Sequence, residues 1–201
     1  EAVPGLRRLT DAIHAEGAAA CAQIGHAGPV ANAASNRVPT LSPSRLFSPL
    51  GNAFTVRPDA ADLQRVIGLF AEAALTAESA GFDAVELHFG HNYLISSFFS
   101  PLLNHRKDGY GGSLANRARL AREVAQAVRE AVGGRIAVLA KLNMDDGVVG
   151  GLRLEESLQI GRWLEEDGTL DALELTIGSS LLNPMYLFHG DAPRSAFAKA
   201  F

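Results

Sequence analysis

With a single cysteine, Cys21, the chain can close no internal disulfide, and a structural thiolate metal site needs more ligands than one. Aromatic residues make up only 7% of its 201 positions. No apolar run approaches the roughly 20 residues of a membrane-spanning helix. Basic charge is also scarce: 18 Lys plus Arg against 22 Asp plus Glu leave a net charge of −4. That offers no electrostatic footprint for nucleic acid or for an anionic membrane surface. Neither a G-x-G-x-x-G turn nor a P-loop is present, which argues against a doubly wound nucleotide binder. No leader pattern opens at Glu1, so a cytoplasmic setting and a small-molecule substrate are expected, with homo-oligomer formation left open.

What the chain does have is alternation. Residues 3–16 set Leu6, Leu9 and Ile13 on one helical face and stop before Gly17, with a strand expected over 18–23. A second helix, 59–80, starts at Asp59 behind Pro58, buries Leu63, Val66, Ile67 and Phe70, and ends at Gly81 before a strand over 84–88. Ser113 stands at the N-cap of a third helix, whose stripe is Leu120, Val124 and Val128 and whose stop is Gly133-Gly134. A strand over 136–143, a helix over 154–167 ended by Gly168, and a strand over 173–177 complete the series.

Strands that alternate strictly with helices are parallel and joined by crossovers, which fits an open sheet or a (β/α)8 barrel. The polar residues decide between them. Residues two apart on a strand share a face; Cys21 with Gln23, Glu86 with His88, Lys141 with Asn143 and Glu174 with Thr176 are such pairs. Each pair falls at a strand's C-terminal end, where a TIM barrel builds its active site. A full barrel takes about 250 residues, yet four strands with their long loops occupy all 201 positions here. The expectation is therefore an α/β chain holding about the central half of a barrel, a part of a longer enzyme.

Chemistry is expected in the loops. Residues 27–58 carry Pro29, Pro39, Pro43 and Pro49 and are too long for a plain connector, which makes them a candidate lid. In His88-Phe89-Gly90-His91-Asn92-Tyr93, two imidazoles separated by a glycine can aim at one oxygen and stabilise negative charge on it, with the tyrosine as proton donor. The same spacing also suits two metal ligands, or one core and one surface histidine. Lys141 on an inward face needs compensation: an anion, an electron-rich cofactor, a Schiff base, or an ion pair with Glu86 or Glu174. Gln23 either reads a heterocycle with its amide or fills a polar pocket.

These motifs extend well beyond two histidines. Glu86-Leu87-His88-x-x-His91-x-Tyr93-Leu94, Phe99-Ser100-Pro101 and Asn104-x-Arg106-x-Asp108-x-Tyr110-Gly111-Gly112-Ser113-x-x-Asn116-Arg117-x-Arg119 resemble the Old Yellow Enzyme family of FMN-dependent NAD(P)H:flavin oxidoreductases and ene-reductases. Gln23-Ile24-Gly25-His26-Ala27-Gly28 is similar to that family's strand-three motif, and Ala140-Lys141-Leu142-Asn143 with Asp146 and Gly150-Gly151 to its strand-five motif. The resemblance implies strands three to six of a TIM barrel, FMN as cofactor, NADH or NADPH as hydride donor, and an activated alkene as acceptor. It implies catalytic roles for His88, His91 and Tyr93, flavin contacts from Gln23, Lys141 and His88, and substrate contacts from His88, His91 and His26.

The chain departs from the pattern in places. Lys141 stands where many members have arginine, so that contact is a point charge rather than a fork. Pro29 and Val30 replace basic residues, Asn92 replaces a glycine, and Ala115 replaces a glutamate. The family's strand-one flavin contact and its phosphate-holding loops have no counterpart in these 201 residues, so the segment alone is expected to be inactive. Competing expectations are the barrel portion of a multidomain iron–sulfur flavoprotein, a catalytically incompetent fragment, and a metal-dependent hydrolase.

Overall fold

The computed structural model describes residues 2–49 and 51–182. Its long helices are α1 (Val3–Ala15), α3 (Ala60–Ser79), α5 (Leu114–Val132) and α6 (Leu154–Glu166), with two short ones, α2 (Ala33–Asn36) and α4 (Leu94–Phe99). The strands are β1 (Cys21–Ile24), β2 (Phe47–Ser48), β3 (Ala53–Phe54), β4 (Ala84–Phe89), β5 (Ala137–Asn143) and β6 (Ala172–Thr176). Strands β1, β4, β5 and β6 form one sheet in that order, every pair parallel. This is a run of barrel wall, four strands long among the described residues, and none of the described helices is long and apolar enough to cross a membrane.

Strand alternation sorts the sheet into two faces. Val85, Leu87 and Phe89 of β4 and Val138, Ala140 and Leu142 of β5 point to the helices and are at most 1% exposed. They meet Leu63, Val66 and Phe70 of α3, Leu120, Val124 and Val128 of α5, and Ile160 and Leu164 of α6 in one apolar core. The opposite face carries Gln23, Glu86, His88, Lys141 and Glu174. Helix starts are set locally. The Asp59 side chain accepts from Asp62 N at 2.8 Å while the Asp62 side chain accepts from Asp59 N at 3.1 Å, a reciprocal cap. Ser113 accepts from Asn116 N at 3.3 Å at the start of α5.

Two expectations need correction. The first strand begins at Cys21 rather than at residue 18, because Ala20 is already engaged by Asp83: its N–H donates to the Asp83 carboxylate and its carbonyl accepts from Asp83 N. On α1 the stripe Leu6, Leu9, Ile13 is not sealed, since Leu9 is 52% exposed; the buried residue there is Thr10, whose hydroxyl donates to the Ala80 carbonyl at 2.7 Å. The two long connections, residues 27–58 and 89–113, carry short elements of their own. The first holds a 3-10 turn at Gly28–Val30, α2 and the antiparallel β2–β3 hairpin, and the second holds α4.

Arg106 binds those two connections together. It is 4% exposed and donates from Nε and Nη2 to the Asp108 carboxylate at 3.0 and 2.6 Å, and from Nη1 to the Pro58 carbonyl at 2.9 Å. Arg57 adds a 3.0 Å bond to the same carboxylate. These partners hold the Asp108 carboxyl down at about 2, with the Arg106 hydrogen bond as the main cause. Asn104 Nδ2 donates to the Phe98 and Tyr110 carbonyls, both at 2.8 Å. Arg117 reaches the Phe99 carbonyl and Glu156.

Candidate active site

The candidate residues gather at the C-terminal ends of β1, β4, β5 and β6. Register places Gln23 beside Glu86, His88 beside Lys141, Lys141 beside Glu174, and Asn143 beside Thr176. The His88–Lys141–Glu174 rung therefore crosses three adjacent strands at one height.

Lys141 is compensated by both of its expected partners, with Nζ at 2.8 Å from Glu174 and 3.7 Å from Glu86. Glu174 raises the Lys141 pKa above its ordinary value, so the ammonium is a fixed positive charge. Burial pushes the Glu86 carboxyl up, against the pull of the Gln23 amide that donates to it.

His88 is 5% exposed, and its Nδ1 is buried without a hydrogen-bond partner. Burial, then His91 and Lys141, push its pKa down to about 4. Burial and then Lys141 lower that of His91. Both rings are neutral at neutral pH, and each carries one N–H donor. Their centroids lie 5.3 Å apart, and the Tyr93 ring stands edge-on to His88 at 4.7 Å.

The turn that carries His91 is unusual. Its φ is 60° and that of Asn92 is 57°, two successive non-glycine residues in the left-handed region. Gly90 precedes them at a close approach, since a Cβ there would meet Thr176 Cγ2 at 2.8 Å. Buried Asn92 holds the turn by donating from Nδ2 to Asp146 Oδ1 at 3.0 Å. Asn143 Nδ2 donates to the same oxygen at 2.9 Å, and Asn143 Oδ1 accepts from His91 N at 3.4 Å. Leu152 N donates to Asp146 Oδ2 at 2.8 Å. Burial raises the Asp146 pKa, and the Leu152 and Asn92 hydrogen bonds oppose the rise. Thr176 Oγ1 lies 2.8 Å from His91 Nε2. Neither the Asn92–Asp146 contact nor the Thr176 contact was readable from spacing; only the polar pair Glu174 and Thr176 on β6 hinted at the second.

Gln23, His88, His91, Tyr93 and Lys141 thus share one end of the sheet, whereas His26 does not join them. It lines a small pocket against α3 with Ile24, Val66, Leu69, Phe70 and Ala73, and its Nδ1 accepts from Gly28 N at 3.0 Å. The His26 side chain follows Ile24 toward the helix layer. Among the described residues no three His, Cys, Asp or Glu side chains are grouped to hold a metal ion.

The donor set fits an isoalloxazine ring. An amide that both donates and accepts (Gln23) and a fixed cation (Lys141) stand on one open face beside two neutral imidazoles.

Comparison with known proteins gives the same direction. The family described as NADH:flavin oxidoreductase / NADH oxidase matches residues 1–175. A 4,4'-dithiodibutanoate disulfide reductase of Rhodococcus erythropolis is 57% identical over 98% of this chain and 49% of its own length. An NADPH dehydrogenase of Listeria monocytogenes is 34% identical over 89% of this chain and 51% of its own. Among solved structures, a 2-naphthoyl-CoA reductase in complex with 2-naphthoyl-CoA superposes with a TM-score of 0.83 at 30% identity, over 88% of this chain and 29% of that one. The chain spans about half the length of the curated relatives it matches.

Proposed function

Because this chain belongs to the NADH:flavin oxidoreductase / NADH oxidase family of FMN enzymes, we propose that its site serves FMN-dependent reduction of an activated alkene of the α,β-unsaturated carbonyl type, with NADH or NADPH as donor. The observation that carries this reading is the His88–His91 pair, two neutral imidazoles with centroids 5.3 Å apart at the open end of the sheet. Two N–H donors on one carbonyl oxygen stabilise the negative charge that develops there when the β-carbon accepts hydride. Tyr93, packed edge-on against His88, delivers the proton to the α-carbon. Gln23 and Lys141 would hold FMN, the amide by hydrogen bonding and the ammonium by a positive charge that would favour the reduced form. FMN itself supplies the two-electron chemistry between nicotinamide and acceptor. His26, turned toward α3, is left out of this assignment. The same reading takes residues 1–201 as strands three to six of the barrel, which the half-length match to the relatives supports.

A second acceptor is favoured by one observation, the 57% identity to a protein named for disulfide reduction. In that case two electrons and two protons, from one reduced nicotinamide and one proton of the medium, convert an organic disulfide to two thiols. The test uses the full-length protein reduced anaerobically with NADPH or NADH. Its flavin absorbance is then followed on mixing with 2-cyclohexenone or with 4,4'-dithiodibutanoate. Faster reoxidation by the enone is the expected result. Reoxidation by the disulfide alone selects the second reading, and a protein that holds no flavin sinks both.

A further inference from the structure

The turn around His91 leaves one chemical choice open, and the residue that faces it is Thr176. Neutral imidazole has a single N–H, on Nδ1 or on Nε2. His91 Nε2 sits 2.8 Å from the Thr176 hydroxyl, while His91 Nδ1 has no hydrogen-bond partner among the described residues. The backbone that carries the ring is fixed on both sides. Its backbone N–H is on Asn143, its carbonyl accepts from Ser180 N at 3.0 Å, and the next residue is tied to Asp146. On the sheet side Gly90 presses against the Thr176 methyl group, which fixes where the hydroxyl stands.

We propose that Thr176 donates its hydroxyl proton to His91 Nε2 and thereby holds His91 in the tautomer protonated on Nδ1, the nitrogen that then donates to the bound oxygen. This rests on the reading of His88 and His91 as a donor pair. The converse arrangement, Nε2–H donating to the Thr176 oxygen, presents a bare Nδ1 lone pair to an oxygen that is gaining charge. The contact would then be repulsive and the pair reduced to one donor. The Thr176 hydroxyl has no other partner among the described residues, so its proton is free for this bond. Thr176 is accordingly a positioning residue that acts through His91.

The experiment uses the full-length, flavin-loaded protein labelled with 15N at histidine, with His91 identified by the loss of its signals in His91→Ala. The expected result is a protonated Nδ1 and an unprotonated Nε2 on His91. In Thr176→Val the proton moves toward Nε2, and phenol, a mimic of the anionic oxygen, binds roughly tenfold more weakly, the loss expected for one hydrogen bond. Thr176→Ser restores both. A protonated Nε2 in the unsubstituted protein overturns the proposal without any variant. An unmoved tautomer in Thr176→Val overturns it as well. Unchanged phenol affinity in His91→Ala instead defeats the donor-pair reading on which the proposal stands, so the two failures are separable.

Discussion

Two halves of one motif-rich stretch behave in opposite ways. From Glu86 to Tyr93 the polar groups are held but incompletely satisfied: His88 Nδ1 is buried without a partner, and His91 and Asn92 occupy left-handed backbone. From Asn104 to Arg119 both asparagines, all three arginines and Tyr110 donate to a carbonyl or a carboxylate. Both halves carry histidines and asparagines at motif spacing, yet one is a candidate site and the other a brace. Residue type alone does not separate them. What separates them is whether a side chain's hydrogen-bonding capacity is closed within the protein or left for a ligand.

The sharpest way to break this comparison is His88→Ala. If the proposed donor pair operates, loss of one donor should lower turnover with an enone by about a hundred- to a thousand-fold, equivalent to about 2.7–4 kcal/mol in the barrier. Urea unfolding of the same variant is expected to show only the loss of the buried ring's packing, because Nδ1 has no protein bond to lose. Wild-type turnover together with a large loss of stability would move His88 into the brace. Arg106→Ala is the mirror image. It strips the Pro58 carbonyl and Asp108 of their partner, and about 2–4 kcal/mol of unfolding free energy should disappear. The KM for the acceptor should stay within a few-fold at a temperature where the variant is folded.

Asn92 tests the boundary between the halves. Asn92→Ala keeps the φ of 57° and loses the bond to Asp146, so about 2–3 kcal/mol is expected from left-handed strain plus the lost partner. Asn92→Gly removes the strain and should cost only about 1 kcal/mol. Equal losses in thermal unfolding would mean that the side-chain bond, not the backbone, governs the turn.

Acid titration sharpens the contrast by its pH window. His88 falls from 6.5 to about 4 on folding. Its contribution to stability is full above the unfolded pKa and is lost as pH drops from about 6.5 toward 4. Asp108 falls from 3.8 to about 2, so its contribution disappears lower, between roughly pH 4 and 2. His88→Gln should flatten the upper limb of the stability–pH curve and Asp108→Asn the lower one. If the two variants flatten the same limb, the assignment of the limbs is wrong.

The barrel wall was legible in the sequence because each unit repeats a helix period, a glycine stop and a short apolar strand. Helix α4 was not. All six residues from Leu94 to Phe99 are buried, so no face is polar and no period shows. The β2–β3 hairpin has two residues per strand, too few for alternation to register. In the site, the Lys141 partners could be foreseen because strand spacing puts Glu86, Lys141 and Glu174 on one face. The Asn92–Asp146 and His91–Thr176 contacts join residues 54 and 85 positions apart, and nothing local marks them. One strand motif supplied both Gln23 and His26, and the two side chains turn to different sides of the sheet.

Gly28 carries a consequence for how such sites can be exchanged. A Cβ there would lie 2.5 Å from the backbone nitrogen of Leu94, and Leu94 N donates to the His26 carbonyl at 3.0 Å. The loop after β1 is therefore moulded onto the start of α4, the segment that follows the His–Tyr turn. Arg106 clamps the far end of the same loop through the Pro58 carbonyl. Transplanting residues 27–58 into another barrel in order to borrow their acceptor preference would carry half of an interlocked pair. The unit of inheritance is the loop together with residues 88–108, and recombination that cuts between them leaves each piece without its mould.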